Sequence, residues 1–365
     1  MSLEQDIAGR FLPGEKISAI RAHGHGLIND TFVVTVEGGR QIILQRINRH
    51  VFAHPERIME NLRVLGDHVR RRAAAGDTAA RSLRLPEILP ARDGRDFVID
   101  AAGGFWRAQE FIEHTRTLDT LGDTGQAGEV GRALGRFHAL IHDLDPARLH
   151  RTLPGFHDAP GYFARFLRAS ARPRITAANP EVLHALGFVE QRWNLTRILE
   201  QARREGKLVT RPIHGDTKLN NFLFDTRTGK AVSLIDLDTV QPGLIHYDIG
   251  DCLRSCANPA GESPPDPGTA RFDLDIARAL LENYLAETRH FLTRHDYDYL
   301  YDAIRLIPFE LGLRFLTDHL EGDHYFKIDR PGHNLHRALV QFRLTAGIEA
   351  AAPDLKGLIA GLAAR

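Results

Sequence analysis

His214-Gly215-Asp216-Thr217-Lys218-Leu219-Asn220-Asn221, with Leu234-Ile235-Asp236-Leu237-Asp238 a short hairpin later, decides how this chain is read. Moving a phosphoryl group onto a hydroxyl takes a base for the hydroxyl proton and hard oxygen ligands that fix Mg²⁺ against nucleotide phosphates. An Asp followed five residues on by an Asn serves both needs: Asp216 at the apex of a loop as catalytic base, and the Asn221 carboxamide oxygen turned back toward the metal. Asp236, ending an apolar strand, reads as the anionic metal ligand. His214 is then structural, holding the loop by hydrogen bonds. Asp and Asn also shape ordinary turns, and an isolated His-x-Asp says no more than that. The combination of base, Asn, hairpin and strand-terminal Asp carries the reading.

Working outward, Asn221 to Asp225 and Ala231 to Asp236 flank Thr226-Arg227-Thr228-Gly229-Lys230, a polar turn of hairpin type. Further along, Asp248 is expected to brace the catalytic loop from the next helix, while Asp238 either supports the metal ligands or is itself a second one. Upstream, Ile17 to Ala22, Thr31 to Val36 and Gln41 to Ile47 read as a three-strand meander, with Gly24 and Gly26 in the first connection and Glu37-Gly38-Gly39-Arg40 in the second. Pro55 to Arg72 places Ile58, Leu62 and Leu65 at helical spacing, and strands resume at Asp96 to Ile99 and Phe105 to Phe111. From Gly128 onward helices dominate, apart from the 213–238 island and a loop rich in Pro, Gly and acidic residues at Pro259 to Pro267, read as mobile. The expected fold is α+β and bilobal, of protein-kinase-like order. A small antiparallel-sheet N-terminal lobe (1–112) binds nucleotide, a hinge lies at about 109–117, and a mainly helical C-terminal lobe (113–365) holds the catalytic loop and acceptor site.

Composition narrows the function from the other side. The 365 residues are 43% hydrophobic and 26% charged, and 47 basic residues balance 47 acidic ones. A zero net charge without basic clusters argues against a nucleic-acid partner. No apolar run approaches the roughly 18 residues of a membrane span, and the first residues lack a signal-peptide pattern, so a cytoplasmic protein is expected. Cys252 and Cys256, four apart on one helix face, read as buried thiols, and the 19 histidines show no zinc-ligand spacing.

The segment Ile213 to Arg254, including Ile235-Asp236-Leu237-Asp238-Thr239-Val240-Gln241-Pro242-Gly243-Leu244-Ile245-His246-Tyr247-Asp248, resembles the aminoglycoside phosphotransferase and choline kinase superfamily, and within it the N-acetylhexosamine 1-kinases. Gly24-His25-Gly26-Leu27-Ile28-Asn29-Asp30-Thr31-Phe32, Leu44-Gln45-Arg46-Ile47-Asn48 and Leu313-Arg314-Phe315-Leu316-Thr317-Asp318 carry the same likeness. The resemblance implies transfer of the γ-phosphate of ATP, with Mg²⁺, to a sugar-like hydroxyl. Gly24, Gly26 and Asn29 then lie over the nucleotide or face the acceptor. Kinases pair a third-strand Lys with a helix Glu to hold the α- and β-phosphates, and this third strand has no Lys. Arg46 with Glu60 is the expected substitute, ahead of Gln45, which a regular strand points to the other face. Adenine is expected on backbone groups of Gln109 to Ile112, with Glu110 and Ile112 as the contacts.

For the acceptor, Arg314 and Asp318 stand four apart on a predicted helix, as an i,i+4 ion pair would, and the resemblance gives Arg314 a sugar contact. Tyr325 and Phe326 are candidate pocket walls, and the acceptor hydroxyl meets Asp216. The chain departs from the N-acetylhexosamine kinase pattern at Leu27, where those enzymes carry His, which bears on the substrate more than on the reaction. The leading expectation is a sugar kinase acting on the anomeric hydroxyl of an N-acetylhexosamine or related sugar. A kinase for another small alcohol (an aminoglycoside, choline or homoserine) stands second, and a silent nucleotide-binding module or a magnesium-dependent phosphohydrolase third.

Overall fold

In the computed structural model, residues 2–24, 28–171 and 179–365 are described. Six strands build the N-terminal sheet: β1 (Ile17–Ala22), β2 (Asp30–Val36), β3 (Gln41–Ile47), β4 (Ile88–Leu89), β5 (Val98–Ile99) and β6 (Phe105–Glu110). All pair antiparallel, in the order β1-β2-β3-β6-β4 with β5 also on β6. The β2–β3 turn closes through Gly38 and Gly39 at φ of 99° and 90°, a left-handed conformation that suits residues without a Cβ.

Strand alternation gives this sheet two faces. Val34, Val36, Ile42, Leu44, Trp106 and Ala108 bury one of them against Ile7, Ala8 and Phe11 of helix Leu3–Phe11, whose N-terminus is fixed by a capping box from Ser2. The alternate positions of β3 and β6, Gln45 and Arg107 among them, face the helical part of the molecule, as the contact between Arg107 and Asp238 shows. Helix Pro55–Ala74 sends Ile58, Leu62 and Leu65 into the main core.

That core belongs to the helical part. Helices Thr124–Ile141 and Leu274–Thr288 run in backbone contact, because a Cβ on Gly131 would stand 2.1 Å from the Leu280 carbonyl oxygen and one on Gly135 2.9 Å from that of Tyr284. Helix Leu300–Glu321 packs on helices Ile245–Cys256 and His333–Ala350. Five short strands complete the scaffold: β7 (Thr115–Arg116), β8 (Arg211–Ile213), β9 (Phe222–Asp225), β10 (Ala231–Leu234) and β11 (Gln241–Gly243). They form a β10-β9-β7 sheet and a β11-β8 pair. The two loops that carry Asp216 and Asp236 therefore leave neighbouring strands, one between β8 and β9 and the other between β10 and β11.

The architecture is the expected α+β arrangement of antiparallel sheet and helical portion. The β10 strand is shorter than the sequence suggests, since Asp236 leaves it in a left-handed turn with φ 62° and ψ 53°. The Pro259–Pro267 loop is tied down by an ion pair from Glu262 to Arg254 at 2.8 Å. Cys252 and Cys256 are free and buried. No helix among the described residues is long and apolar enough to cross a membrane.

Candidate active site

The loop between β8 and β9 is hung from a single buried carboxylate. Asp248, in the first turn of helix Ile245–Cys256, accepts from the backbone N–H of His214 at 2.7 Å and of Gly215 at 2.8 Å, and from His138 Nε2 at 2.9 Å. Burial alone would raise its pKa, but these donors and the neighbouring imidazoles hold it below the usual carboxylate range. Gly215 sits at φ 88° with Thr239 so close that a Cβ would stand 2.8 Å from its carbonyl oxygen, so glycine is required there. His214 Nδ1 accepts from the Asp216 N–H at 3.3 Å and its Nε2 donates to Ile235 O at 3.0 Å. Burial depresses its pKa, and this neutral tautomer ties the catalytic loop to the strand that delivers Asp236.

Asp216 points into the space this creates. Lys218 Nζ lies 2.7 Å from its Oδ2, and Asn221 Nδ2 donates to its carbonyl oxygen at 2.7 Å and to its Oδ2 at 3.2 Å. Burial pushes the Asp216 carboxyl upward, yet the Lys218 charge and hydrogen bond outweigh it and leave the pKa lowered. With its amide nitrogen committed to Asp216, the Asn221 oxygen is turned away from it. Asp236 behaves oppositely: burial first, then the charge of Asp238, push its pKa up to about 6 against the pull of Lys218. Asp236, whose carboxylate is incompletely compensated, and the Asn221 amide oxygen are hard-oxygen donors of the kind that fit a divalent cation such as Mg²⁺.

Across from this cluster stands the sheet, and here the structure corrects the sequence. Arg46 shares a face with Ile42 and Leu44, so it stacks 5.8 Å over Trp106 beside Asp100, away from the helical part. Glu60 is half-exposed and pairs with His150 at 2.6 Å, not with Arg46. Strand parity puts Gln45 on the inner face, directly opposite Arg107 on β6. Gln45 Oε1 accepts from Arg107 Nε at 3.0 Å and Nη2 at 2.7 Å, and Nη2 reaches Asp238 Oδ1 at 2.5 Å. That approach is off-line, so Oδ1 gains a charge contact without a directed hydrogen bond. Asn29 Nδ2 donates to the other oxygen of Asp238 at 2.8 Å, which joins the first β-connection to the turn after β10. Gly24 takes a left-handed φ of 73° within that connection, whereas Gly26 and Leu27 lie outside the described residues. Of the expected adenine contacts, the Glu110 N–H is already committed to Glu87 O at 2.8 Å and the Ile112 carbonyl to Thr115 Oγ1 at 2.6 Å.

Beside the catalytic loop lies a cavity of about 270 Å³. Its wall at Leu153 to Phe156 runs straight into His157, whose Nε2 donates to Gly215 O at 3.2 Å and whose Nδ1 meets Glu310 Oε1 at 3.0 Å. Arg314 forms the floor, with its guanidinium 5.0 Å from the Tyr162 ring and 5.5 Å from each of Phe156 and Phe326. Tyr325 and Phe326 do line the cavity. Arg314 and Asp318 share that wall without forming an ion pair, because Asp318 organises the following turn. It accepts from the N–H groups of His324, Tyr325 and Phe326 and from Asn334 Nδ2.

Arg107, Lys218 and His157 escaped the sequence reading. Lys218 sits inside the quoted motif and Arg107 is the cation of the strand Phe105–Glu110, so both left a signal. His157 left none, since its partners are 58 and 153 residues away.

A family model described as "Phosphotransferase enzyme family", APH, matches residues 19–291. Among solved structures, the chain resembles an aminoglycoside phosphotransferase from Alicyclobacillus acidocaldarius subsp. acidocaldarius DSM 446 at a TM-score of 0.62 and 15% identity, covering 98% of this chain and 97% of that one. A microcompartment-associated aminopropanol kinase aligns at 0.62 and 19%, over 96% and 98%. An amicoumacin kinase in complex with AMP-PNP, Ca²⁺ and Ami aligns at 0.56 and 17%, over 91% and 88%. The loop hung from Asp248, the oxygen donors beyond it and the sheet above them thus sit in a chain that belongs to the APH family, the small-molecule phosphotransferases.

Proposed function

We propose that this protein is an ATP- and magnesium-dependent kinase that phosphorylates a sugar hydroxyl, with the anomeric hydroxyl of an N-acetylhexosamine as the specific candidate. The lobes divide near residue 112, with the hinge at about 109–117 and nucleotide held between them, Gly24 and Asn29 from the first connection lying over it. The nucleotide and divalent ion in the amicoumacin kinase complex support the same cofactors here. Asp216 takes the proton from the acceptor hydroxyl, and its lowered pKa keeps it ionised for that task. Lys218 offsets its charge, and Asn221 holds its carboxylate in line. A magnesium ion on Asn221 and Asp236 would neutralise charge on the phosphate oxygens.

One observation carries the choice of a sugar: the cavity holds a caged cation. Phe156, Tyr162 and Phe326 surround Arg314 where an ammonium acceptor would need a vacant aromatic or acidic site. Among the described lining residues the carboxylate is Asp318, whose oxygens already accept four N–H donors. Choline, amino alcohols and aminoglycosides would meet a like charge, whereas hydroxyls and an acetamido oxygen suit a guanidinium and tyrosine edge. At about 270 Å³ the cavity is also below the roughly 300–1,000 Å³ of drug-sized sites, small for a multi-ring aminoglycoside.

The test is an ADP-release panel of N-acetylhexosamines, hexosamines, choline, 1-amino-2-propanol and kanamycin, with the product phosphate located by NMR. Highest kcat/KM on a neutral sugar is expected; highest kcat/KM on a cationic acceptor would overturn the sugar reading. Asp216→Asn should lower kcat by about 10²–10⁴-fold with ATP affinity unchanged, the range for losing a general base; near-normal turnover would exclude Asp216 as the base.

A further inference from the structure

We propose that Arg107, reaching inward from β6, is the cation that grips the α- and β-phosphates of the nucleotide, with Asp238 as its acidic partner in place of a strand lysine and helix glutamate. The inference rests on the nucleotide reading above. Its first support is register. The inner face of β3 offers Gln45, which cannot supply charge, and the residue paired with it across the ladder is Arg107.

The second support is how the guanidinium is held. Gln45 anchors Nε and Nη2 through one oxygen, and its own amide nitrogen is fixed on Thr31 Oγ1 at 3.1 Å. The fork is therefore aligned by a neutral group, and the carboxylate that meets its charge is Asp238. Arg107 is 0% exposed, and among the described residues its Nη1 has no hydrogen-bond partner. Purely structural burial of an arginine favours saturation of all five donors, because an unmade bond to a charged group is costly. The free Nη1 of Arg107, next to the turn that carries Asp236 and Asp238, is a donor that a phosphate oxygen can take.

The third support is the position of Asp238. It lies two residues beyond Asp236 and accepts from Asn29, so one carboxylate links Arg107, the first β-connection and the metal turn. A kinase lysine is aimed by a glutamate from the neighbouring helix. Here Glu60 is turned to His150, and Asp238 is the carboxylate in place to aim the cation. Arginine also suits the task chemically, since its planar fork can bind two phosphate oxygens at once.

Isothermal titration with ADP and with adenosine separates phosphate grip from base binding, on the full chain with Mg²⁺. Arg107→Met is expected to weaken ADP at least tenfold while changing adenosine less than twofold, and Arg107→Lys to recover part of the loss. Because Arg107→Met leaves Asp238 buried without its partner, Gln45→Glu serves as a second variant. It keeps the arginine but adds a second carboxylate to its fork beside Asp238, and should weaken ADP selectively in a protein that melts like wild type. ADP affinity unchanged in Arg107→Met or in folded Gln45→Glu overturns the proposal, as does equal loss of ADP and adenosine. If the wild-type protein binds neither ligand, the nucleotide reading itself falls.

Discussion

Replacing Asp248 by asparagine changes one atom and should cripple both stability and turnover. The carboxylate is 0% exposed and accepts three hydrogen bonds, from His214 N, Gly215 N and His138 Nε2. An amide has one acceptor oxygen, so its better orientation keeps the two donors on Oδ2 and turns an N–H₂ toward the N–H of Gly215. That orphans one buried donor, at about 1–3 kcal/mol, and demotes two charge-assisted bonds to neutral ones, at about 0.5–1 kcal/mol each. The sum is a loss of about 2–5 kcal/mol in unfolding free energy. Gly215 cannot shift toward Thr239, which already stands 2.8 Å from where a Cβ would be, so the loop moves the other way and carries Asp216 with it. A displacement on the order of 1 Å costs about 10²-fold in rate. Urea unfolding and steady-state kinetics of Asp248→Asn measure the two effects. Stability within about 1 kcal/mol of wild type together with kcat within threefold would refute the argument that this carboxylate holds the loop.

Two further outcomes follow from the packing. Gly131→Ala puts a methyl group 2.1 Å from the Leu280 carbonyl oxygen, so helices Thr124–Ile141 and Leu274–Thr288 must part. A loss of about 3 kcal/mol or more in urea unfolding is expected, and a loss below 1 kcal/mol would show that the helices can yield. His157 bonds acceptors through both ring nitrogens and must be an imidazolium. Burial opposes that charge, but Glu310 and the Gly215 carbonyl overcome it and raise the pKa above 6.5. Its contribution is therefore complete below pH 6.5 and disappears as pH rises through the folded-state value. Unfolding free energy measured across that window should fall more steeply in wild type than in His157→Gln; parallel curves would contradict it.

Most of the framework was legible because local rules and global fold agree. The meander is written in alternating strands and the Gly38-Gly39 turn, and the structure brings Asp216, Asn221 and Asp236, singled out by their spacing, near one another. Parity was the limit in β3. Alternation says that Gln45 and Arg46 face opposite ways, yet only packing decides which way is inward, and Trp106 with helix Leu3–Phe11 claims the Arg46 side. Arg107 lay beyond reach for a related reason: a charge in Phe105–Glu110 has meaning only once Gln45 and Asp238 stand beside it. The short strands β7, β8 and β11 have too few residues for any periodicity and exist because their partners do.

His157 takes φ of 56°, unusual for a residue with a Cβ, and its ring stacks 4.7 Å from that of Tyr247 while its nitrogens span Gly215 and Glu310. A cavity wall and the segment bearing the base are thereby soldered into one piece. For anyone wishing to redirect the enzyme to a new acceptor, this divides the pocket into two kinds of territory. Changes at Leu153 to Phe156 will drag the Asp216 loop along, so selectivity and rate are expected to fall together there. The opposite wall, Tyr325 and Phe326, is hung from Asp318 and, among the described residues, has no such hydrogen bond to the Asp216 loop. Libraries built on that side can explore new substrates while leaving the chemistry intact.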